Sequence, residues 1–407
     1  MKKFKLGLLP KLVIGIIVGI LLGLWGVYPI MRVYATITSL FGTFLVFSIP
    51  LIIMGFLIPG ISEIGNKAGK LVLIVVAFCY ALTVTAGLIS YFTTVALSDL
   101  IVGATAQLGG YRDPATPFLT LSVPPIMSVM SALVFSFIVG IFMTSIKGES
   151  TIKKFALDFQ HVIKQLVHKV IIPLLPFHIS GLFAAMAFEG QIAEAMGIFF
   201  RLFALIIIMH LLFLLVMYII AGAIYKTNPF RLMKIMLPTY LTALGTQSSL
   251  ATMPVNFLNV KKIGLDQKVS EFIVPFGATI LLPGSTMSIV SCAVVVMFMF
   301  GAEISLAIVA PFIFMLAITM VAAPGVPGGA IMAALGALEV SLGFSEPMMA
   351  IMIALYFAQD SFGTAVNISS DGAVAMYLNR FLGHKKLHPV SAEEAEAGVK
   401  RDGDKEE

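Results

Sequence analysis

Charge-free windows of roughly 20 residues, the length of helix that crosses a bilayer, recur along the whole chain. They run at 12–31, 33–62, 71–98, 114–146, 170–188, 202–225, 235–260, 272–302, 304–338 and 347–359, the last continuing past Asp360. Ten windows predict ten membrane-entering segments. Two of them carry polar, Pro/Gly-rich centres: Thr246-Gln247-Ser248-Ser249-Leu250-Ala251-Thr252-Met253-Pro254 and Ala323-Pro324-Gly325-Val326-Pro327-Gly328-Gly329. A spanning helix tolerates such a centre only where the freed backbone groups face protein or water. A helical hairpin that enters and leaves on one side accounts for both; two kinked ordinary helices are the alternative.

The basic residues decide between these. Lys2, Lys3 and Lys5 precede the first window, Lys67 and Lys70 follow the second, and Lys147, Lys153, Lys154, Lys164 and Lys169 follow the fourth. Arg231, Lys234, Lys261 and Lys262 flank the first interruption, and Lys385 and Lys386 follow the last window. The alternate loops hold mainly Asp99, Arg112, Asp113, Glu189, Glu194, Glu303, Glu339 and Glu346. The positive-inside rule puts both termini in the cytoplasm, both ends of the first interrupted segment inside and both ends of the second outside. The expected fold is an all-α polytopic membrane protein with eight transmembrane helices and two opposed re-entrant hairpins, at 230–260 and 304–345. It is expected as a multi-pass protein of the cell (inner) membrane.

Composition agrees: of 407 residues, 59% are hydrophobic and 12% charged, against roughly a quarter charged in a soluble domain. That excludes a soluble enzyme, a disordered chain and a disulfide scaffold. The net charge of +5 forms no basic patch for nucleic acid. Cys79 and Cys292 lie in apolar runs and read as buried thiols. Leu12 to Met31 has no small-x-small cleavage site and reads as a first membrane helix rather than a signal peptide. No cofactor motif is present.

Opposed broken segments in the two halves of a transporter point to its substrate site. From about residue 225 the chain resembles the dicarboxylate/amino acid:cation symporters, the glutamate transporter family. The resemblance is carried in order by Asn228-Pro229-Phe230 leading to Thr246-Gln247-Ser248-Ser249, Thr252 and Pro254; by Pro275-Phe276-Gly277-Ala278-Thr279-Ile280; by Gly325-Val326-Pro327-Gly328; and by Gln359-Asp360-Ser361, Thr364, Asn367 and Asp371. Likeness is greatest to the serine/threonine branch. It implies scaffold helices one and two (1–68), helix three of a transport domain (69–98), scaffold helices four and five (99–190), and the rest of the transport domain (191–383). The tail 384–407 reads as cytoplasmic and disordered. It further implies a homotrimer and an elevator movement.

Carried over residue by residue, the resemblance implies a substrate site of Gln247, Ser248, Ser249, Val326, Pro327, Gly328, Asp360, Gly363, Thr364 and Asn367. Asp360 would meet the substrate ammonium, and the serines with the tip N–H groups its carboxylate, although the serines could equally cap a hairpin turn. Asp360, Thr364, Asn367 and Asp371 follow at spacings of four, three and four, so they share one helix face. Gly363 stands where acidic amino acid carriers of the family have an arginine, so a neutral amino acid fits and a buried unpaired carboxylate does not.

The chain departs from the family at Leu281-Leu282-Pro283-Gly284-Ser285, where an Asn-Met-Asp-Gly-Thr motif supplies cation ligands. Hydroxyls are also scarce at Phe78 to Leu82. What remains is a weak sodium or proton site at Asp371, with backbone carbonyls near Gly277, Leu281 and Asn367, and a second near Thr279. Proton coupling or sodium independence is favoured over full sodium coupling; uncoupled exchange is the third reading.

Gly15, Gly19 and Gly23 form small-xxx-small steps that favour close helix packing. His178 and His210 read as packing residues, and residues 150–169 as an amphipathic basic approach to helix five. The 23 methionines suggest adaptable packing. An intramembrane hydrolase lacks Gly-x-Ser-x-Gly or His-Glu-x-x-His. Alternatives within the membrane class are a sodium-coupled acidic amino acid or dicarboxylate symporter and a transport-deficient channel or sensor.

Overall fold

The computed structural model describes residues 8–66, 70–103, 113–146, 150–323, 325, 327–383 and 387. The lysines at the N-terminus, Pro324, Val326 and the tail expected to be disordered lie outside the described residues, apart from Leu387. Among the described residues the secondary structure is helical, without strands. In chain order the helices are α1 (Leu8–Trp25), α2 (Tyr28–Asn66), α3 (Lys70–Ala96), the single turn α4 (Ser98–Ile101), α5 (Val129–Thr144) and α6 (Thr151–Leu166). A π-helical turn, Val167–Ile171, joins α6 to α7 (Ile172–Phe188), followed by α8 (Ile192–Tyr225), α9 (Pro229–Thr246) and α10 (Ser249–Ile263). Then come α11 (Gln267–Ile280), α12 (Pro283–Met299), α13 (Leu306–Val321), α14 (Gly329–Leu342) and α15 (Glu346–Phe381). Six stretches, within α2, α3, α6–α7, α8, α11–α12 and α15, are long and apolar enough to cross a bilayer, so the chain is a multi-pass membrane protein.

Two expected boundaries move. The window 12–31 is cut at Gly26, whose φ of +70° ends α1 and lets α2 start at Tyr28. The window 114–146 is not one helix, because charge alone was counted there. Pro114, Pro117, Pro124 and Pro125 each remove a backbone donor and push the preceding residue out of the helical region. The chain therefore runs without helix to Ser128, which caps α5 by accepting from Ser131 N. This strap lies along α2. Arg32 Nε donates to Thr116 O (2.9 Å), Phe118 N donates to Thr36 Oγ1 (2.8 Å) and Thr43 Oγ1 donates to Leu121 O (3.2 Å). The Arg32 guanidinium also stacks 4.0 Å from the centre of the Phe118 ring.

The glycine steps of α1 act as expected. A Cβ at Gly15, Gly19 or Gly23 would collide with the carbonyl of Pro176, Ser180 or Ala184 on α7, so the two backbones pack in contact. Helix α2 packs against α5, α6 and α7, while α3 packs against α12 and α13. Helix α15 is surrounded by α8, α9, α10, α11 and α12, and touches α7 and α2 on another side. The chain breaks its helices at both polar interruptions, so α9 folds back on α10 and α13 on α14. The centre of the molecule is α12: from Pro283 to Met297 every residue is buried. By contrast α8 turns Ile208, Leu211, Leu212, Val216 and Ile219 outward, as a lipid-facing helix does.

Candidate functional site

The two helix breaks meet each other. Helix α9 ends at Thr246, and Gln247 turns the chain in the left-handed region (φ 53°, ψ 25°), unusual for a residue with a side chain. Ser248 then caps α10, its Oγ accepting from Ala251 N (3.3 Å). The same hydroxyl donates to Gly325 O in the second break (2.9 Å), and Leu250 N points at that carbonyl from 3.5 Å. So Ser248 is both a cap and a clasp between the breaks. Ser249 is buried beside it, and Gln247 and Pro327 are half-buried. Expected site residue Val326 lies outside the described residues.

Gly328 closes the second break. Its φ of +72° and the ring of Phe357, which a Cβ there would strike, both require glycine. Its N–H donates to Asp360 Oδ2 at 2.7 Å. The carboxylate expected to meet the substrate ammonium is thus held at the junction, 3% exposed, with the Tyr356 and Thr364 hydroxyls against it.

The polar row of α15 divides among three partners. Asp360 and Thr364 serve the junction. Asn367 is bound at both ends of its amide by one residue: its Oδ1 accepts from Ser285 N (3.1 Å) and its Nδ2 donates to Ser285 Oγ (2.8 Å). Tyr356 OH donates to the same Ser285 Oγ at 2.9 Å. One orphan donor at the start of α12, the Ser285 N–H, is in this way satisfied by α15. Asp371 belongs elsewhere, eleven residues and about 16 Å along the helix from Asp360 at 1.5 Å per residue.

Asp371 meets Asn256 of α10, whose Nδ2 donates to Asp371 Oδ2 at 2.8 Å. Both residues are fully buried, and Asp371 Oδ1 and Asn256 Oδ1 have no partner. Two buried acceptors without a donor are what a cation or a proton would satisfy. Gly277 admits the carboxylate to the broken helix: a Cβ there would lie 2.5 Å from Asp371 Oδ1. Of the other residues expected here, the Gly277 carbonyl accepts from Leu281 N (2.9 Å) and the Thr279 hydroxyl donates to Phe276 O (2.7 Å).

Asn256 was not foreseen, yet its signal was present. Ser249, Thr252, Asn256 and Asn259 are spaced three, four and three, one buried polar face of α10. Ser285 and Tyr356 had no local signal, because their partners are 82 and 71 residues away. His210 of α8 is also part of the arrangement. Its Nε2 lies 2.9 Å from Gly284 O and must carry the hydrogen, since a carbonyl only accepts; its Nδ1 has no partner. Among α3 hydroxyls, Thr83 is turned back to Cys79 O, and those that reach α12 are Ser90, bonded to Met287 O and Ser291, and Thr94, bonded to Ser291.

Position 363 and its neighbour differ in kind. A Cβ at Gly284 would fall 2.5 Å from Gly363 O and 2.7 Å from Val366 Cβ, so glycine is compulsory there. A Cβ at Gly363 would meet only ordinary contacts of 3.4 to 3.5 Å. Packing therefore does not demand the missing side chain at 363.

The profile of the sodium:dicarboxylate symporter family matches residues 8–381 of this chain. Curated relatives include serine/threonine transporter SstT from Acinetobacter baumannii strains AYE, AB0057 and SDF. Each is 24% identical over 385 residues, covering 90% of this chain and 95% of the relative.

Proposed function

As the chain belongs to the sodium:dicarboxylate symporter family, and is therefore a transporter and not an enzyme, we propose that it carries a small neutral amino acid such as serine or threonine. One observation carries this reading: Asp360, a buried carboxylate beside the second helix break, is held by neutral donors, the Gly328 N–H and the Tyr356 and Thr364 hydroxyls. A substrate ammonium is a stronger partner for it than any of these. Its carboxylate would take Ser249 and the tip N–H groups, and Ser248 once its clasp on Gly325 opens. Gly363, with room for a side chain and none present, leaves no cation for a second substrate carboxylate, which disfavours acidic substrates.

Access requires the Ser248–Gly325 and Gly328–Asp360 bonds to part, so the breaks act as re-entrant hairpins that gate the site. The packing supports an elevator: α1, α2, α5, α6 and α7 form one group, and α3 with α8 to α15 another, meeting along α14 and α15. The coupling ion sits at Asp371, away from the substrate. Sodium needs several oxygens and finds only Asp371 and Asn256 as free side-chain acceptors there, with Leu281 and Pro283 in place of ligands; a proton needs one. Proton coupling is thus the reading offered, sodium coupling the competitor.

The strap supports a homotrimer. Phe118, Leu119, Leu121, Val123 and Ile126 are exposed on one copy, an apolar patch of the kind that a neighbouring copy covers. Radiolabelled serine, threonine, alanine and aspartate uptake into proteoliposomes, with proton and sodium gradients imposed separately, tests the function. Neutral amino acid uptake on the proton gradient alone is expected. Sodium-dependent aspartate uptake would overturn both the Gly363 and the Asp371 readings, and substrate binding without counterflow would mark a sensor.

A further inference from the structure

A second chamber, distinct from the site above, lies where α7 ends and α15 begins. It has a volume of about 350 Å³ and is walled by α2, α7, the strap at Pro114 and Pro117, and the first turns of α15. That size is within the range of small-molecule pockets, which are mostly apolar with a few placed polar groups. Five residues with polar side chains line it: Glu189, Glu346, His178, Thr38 and Ser39. His178 is 2% exposed and stacks 5.0 Å from the Phe41 ring centre; the Thr38 backbone faces one ring nitrogen and the other has no partner. Thr38, also in the wall, has an unpartnered hydroxyl. Burying an imidazole nitrogen and a threonine hydroxyl without partners is costly, so the chamber is built for an occupant.

The occupant's chemistry follows from the sign of the wall. Both ionisable chains are carboxylates, and the neutral imidazole offers an acceptor nitrogen. Burial raises the Glu189 carboxyl above its ordinary value, a penalty that a cation beside it would remove. No cluster of three His, Cys, Asp or Glu among the described residues is compact enough to hold a metal ion. The polar groups are spread through an apolar chamber, which suits an organic cation and not a bare one.

We propose that this chamber binds small organic amines and that an occupant pins α15 to α2 and α7. Glu346 already reaches across: its carboxyl fills the place where a Cβ of Gly42 on α2 would stand. An amine between Glu346 of α15 and Glu189 of α7 adds a second tie between the groups of helices. The binding is independent of the transport mechanism; the pinning rests on the elevator reading.

Benzylamine is the probe, with its uncharged analogue benzyl alcohol as control, both on the purified full-length protein. Benzylamine at millimolar concentration is expected to raise the Tm by several degrees, as a ligand of the native state does, with no shift from benzyl alcohol. The shift should vanish in Glu189→Gln/Glu346→Gln, while serine still stabilises that variant. An equal shift from benzyl alcohol, or one retained in the variant, overturns the site. In proteoliposomes benzylamine should lower the maximal rate of serine uptake and leave half-saturating serine unchanged. Undiminished uptake at a concentration that shifts the Tm overturns the pinning alone.

Discussion

Replacing Gly277 by alanine should strike the ion site and spare the substrate site. The new methyl would lie 2.5 Å from Asp371 Oδ1, about 0.9 Å inside ordinary contact. Both helices are buried, so the carboxylate is the part that rotates, and the 2.8 Å bond from Asn256 goes with it. A hydrogen bond to a charged group contributes about 1.5–3 kcal/mol, which is roughly tenfold to a hundredfold in an equilibrium constant. If sodium binds at Asp371, the rotated carboxylate no longer faces it together with the Asn256 oxygen, and half-saturating sodium should rise roughly tenfold or more. If a proton binds there instead, the pH dependence of uptake should move and the sodium dependence should not. Asn256→Ala should move uptake the same way without crowding Asp371. Serine uptake in proteoliposomes, titrated with sodium at fixed pH and with pH at fixed sodium, reads both. Half-saturating serine should change little, because Asp360 is about 16 Å away along the helix. A folded variant with unchanged sodium and pH dependence, or one losing serine affinity as strongly, would refute the assignment of the ion to Asp371.

Asp360→Asn removes the ammonium partner, and losing one member of a buried charge pair costs about 3–5 kcal/mol; serine binding by isothermal calorimetry should fall more than a hundredfold at near-normal Tm. At the α12–α15 crossing, Gly284→Ala should lower the Tm by several degrees through about 1–3 kcal/mol of overpacking, while Gly363→Ala should fold almost normally. Gly363→Arg should admit aspartate, measured as uptake competition against labelled serine, and continued exclusion of aspartate would count against position 363 as the selector. Gly19→Val should part α1 from α7 and lower the Tm by a similar overpacking cost, leaving half-saturating serine for the remaining folded protein unchanged.

Much of this was legible because it is local. The polar interruptions at Thr246–Pro254 and Ala323–Gly329 are where the helices break, since backbone that cannot stay helical in lipid is written in prolines, glycines and hydroxyls. The α1 glycines announced their contact with α7 by spacing alone. In the strap, absence of charge does not specify helix, because four prolines in 114–125 forbid it. Asn256 belongs to no motif and is marked only by its place on the buried polar face of α10. The Ser285–Asn367 tie, the His210–Gly284 bond and the chamber at His178 are tertiary. Each joins residues far apart in sequence, and the histidines in particular look alike until one is found bonded to Gly284 and the other set in a chamber wall.

If the homotrimer proposed above forms, the strap also bears on how many copies of this protein a membrane must contain. A lone chain leaves Phe118, Leu119 and Leu121 exposed on a stretch whose backbone is not helical. Where copies cover one another, that apolar stretch is buried; where they are scarce, its side chains stay exposed. Stability then becomes a property of the population, as in any obligate oligomer. Sparse expression would yield a chain that is inserted but short-lived, and crowding in the membrane would lengthen its lifetime with no change in sequence.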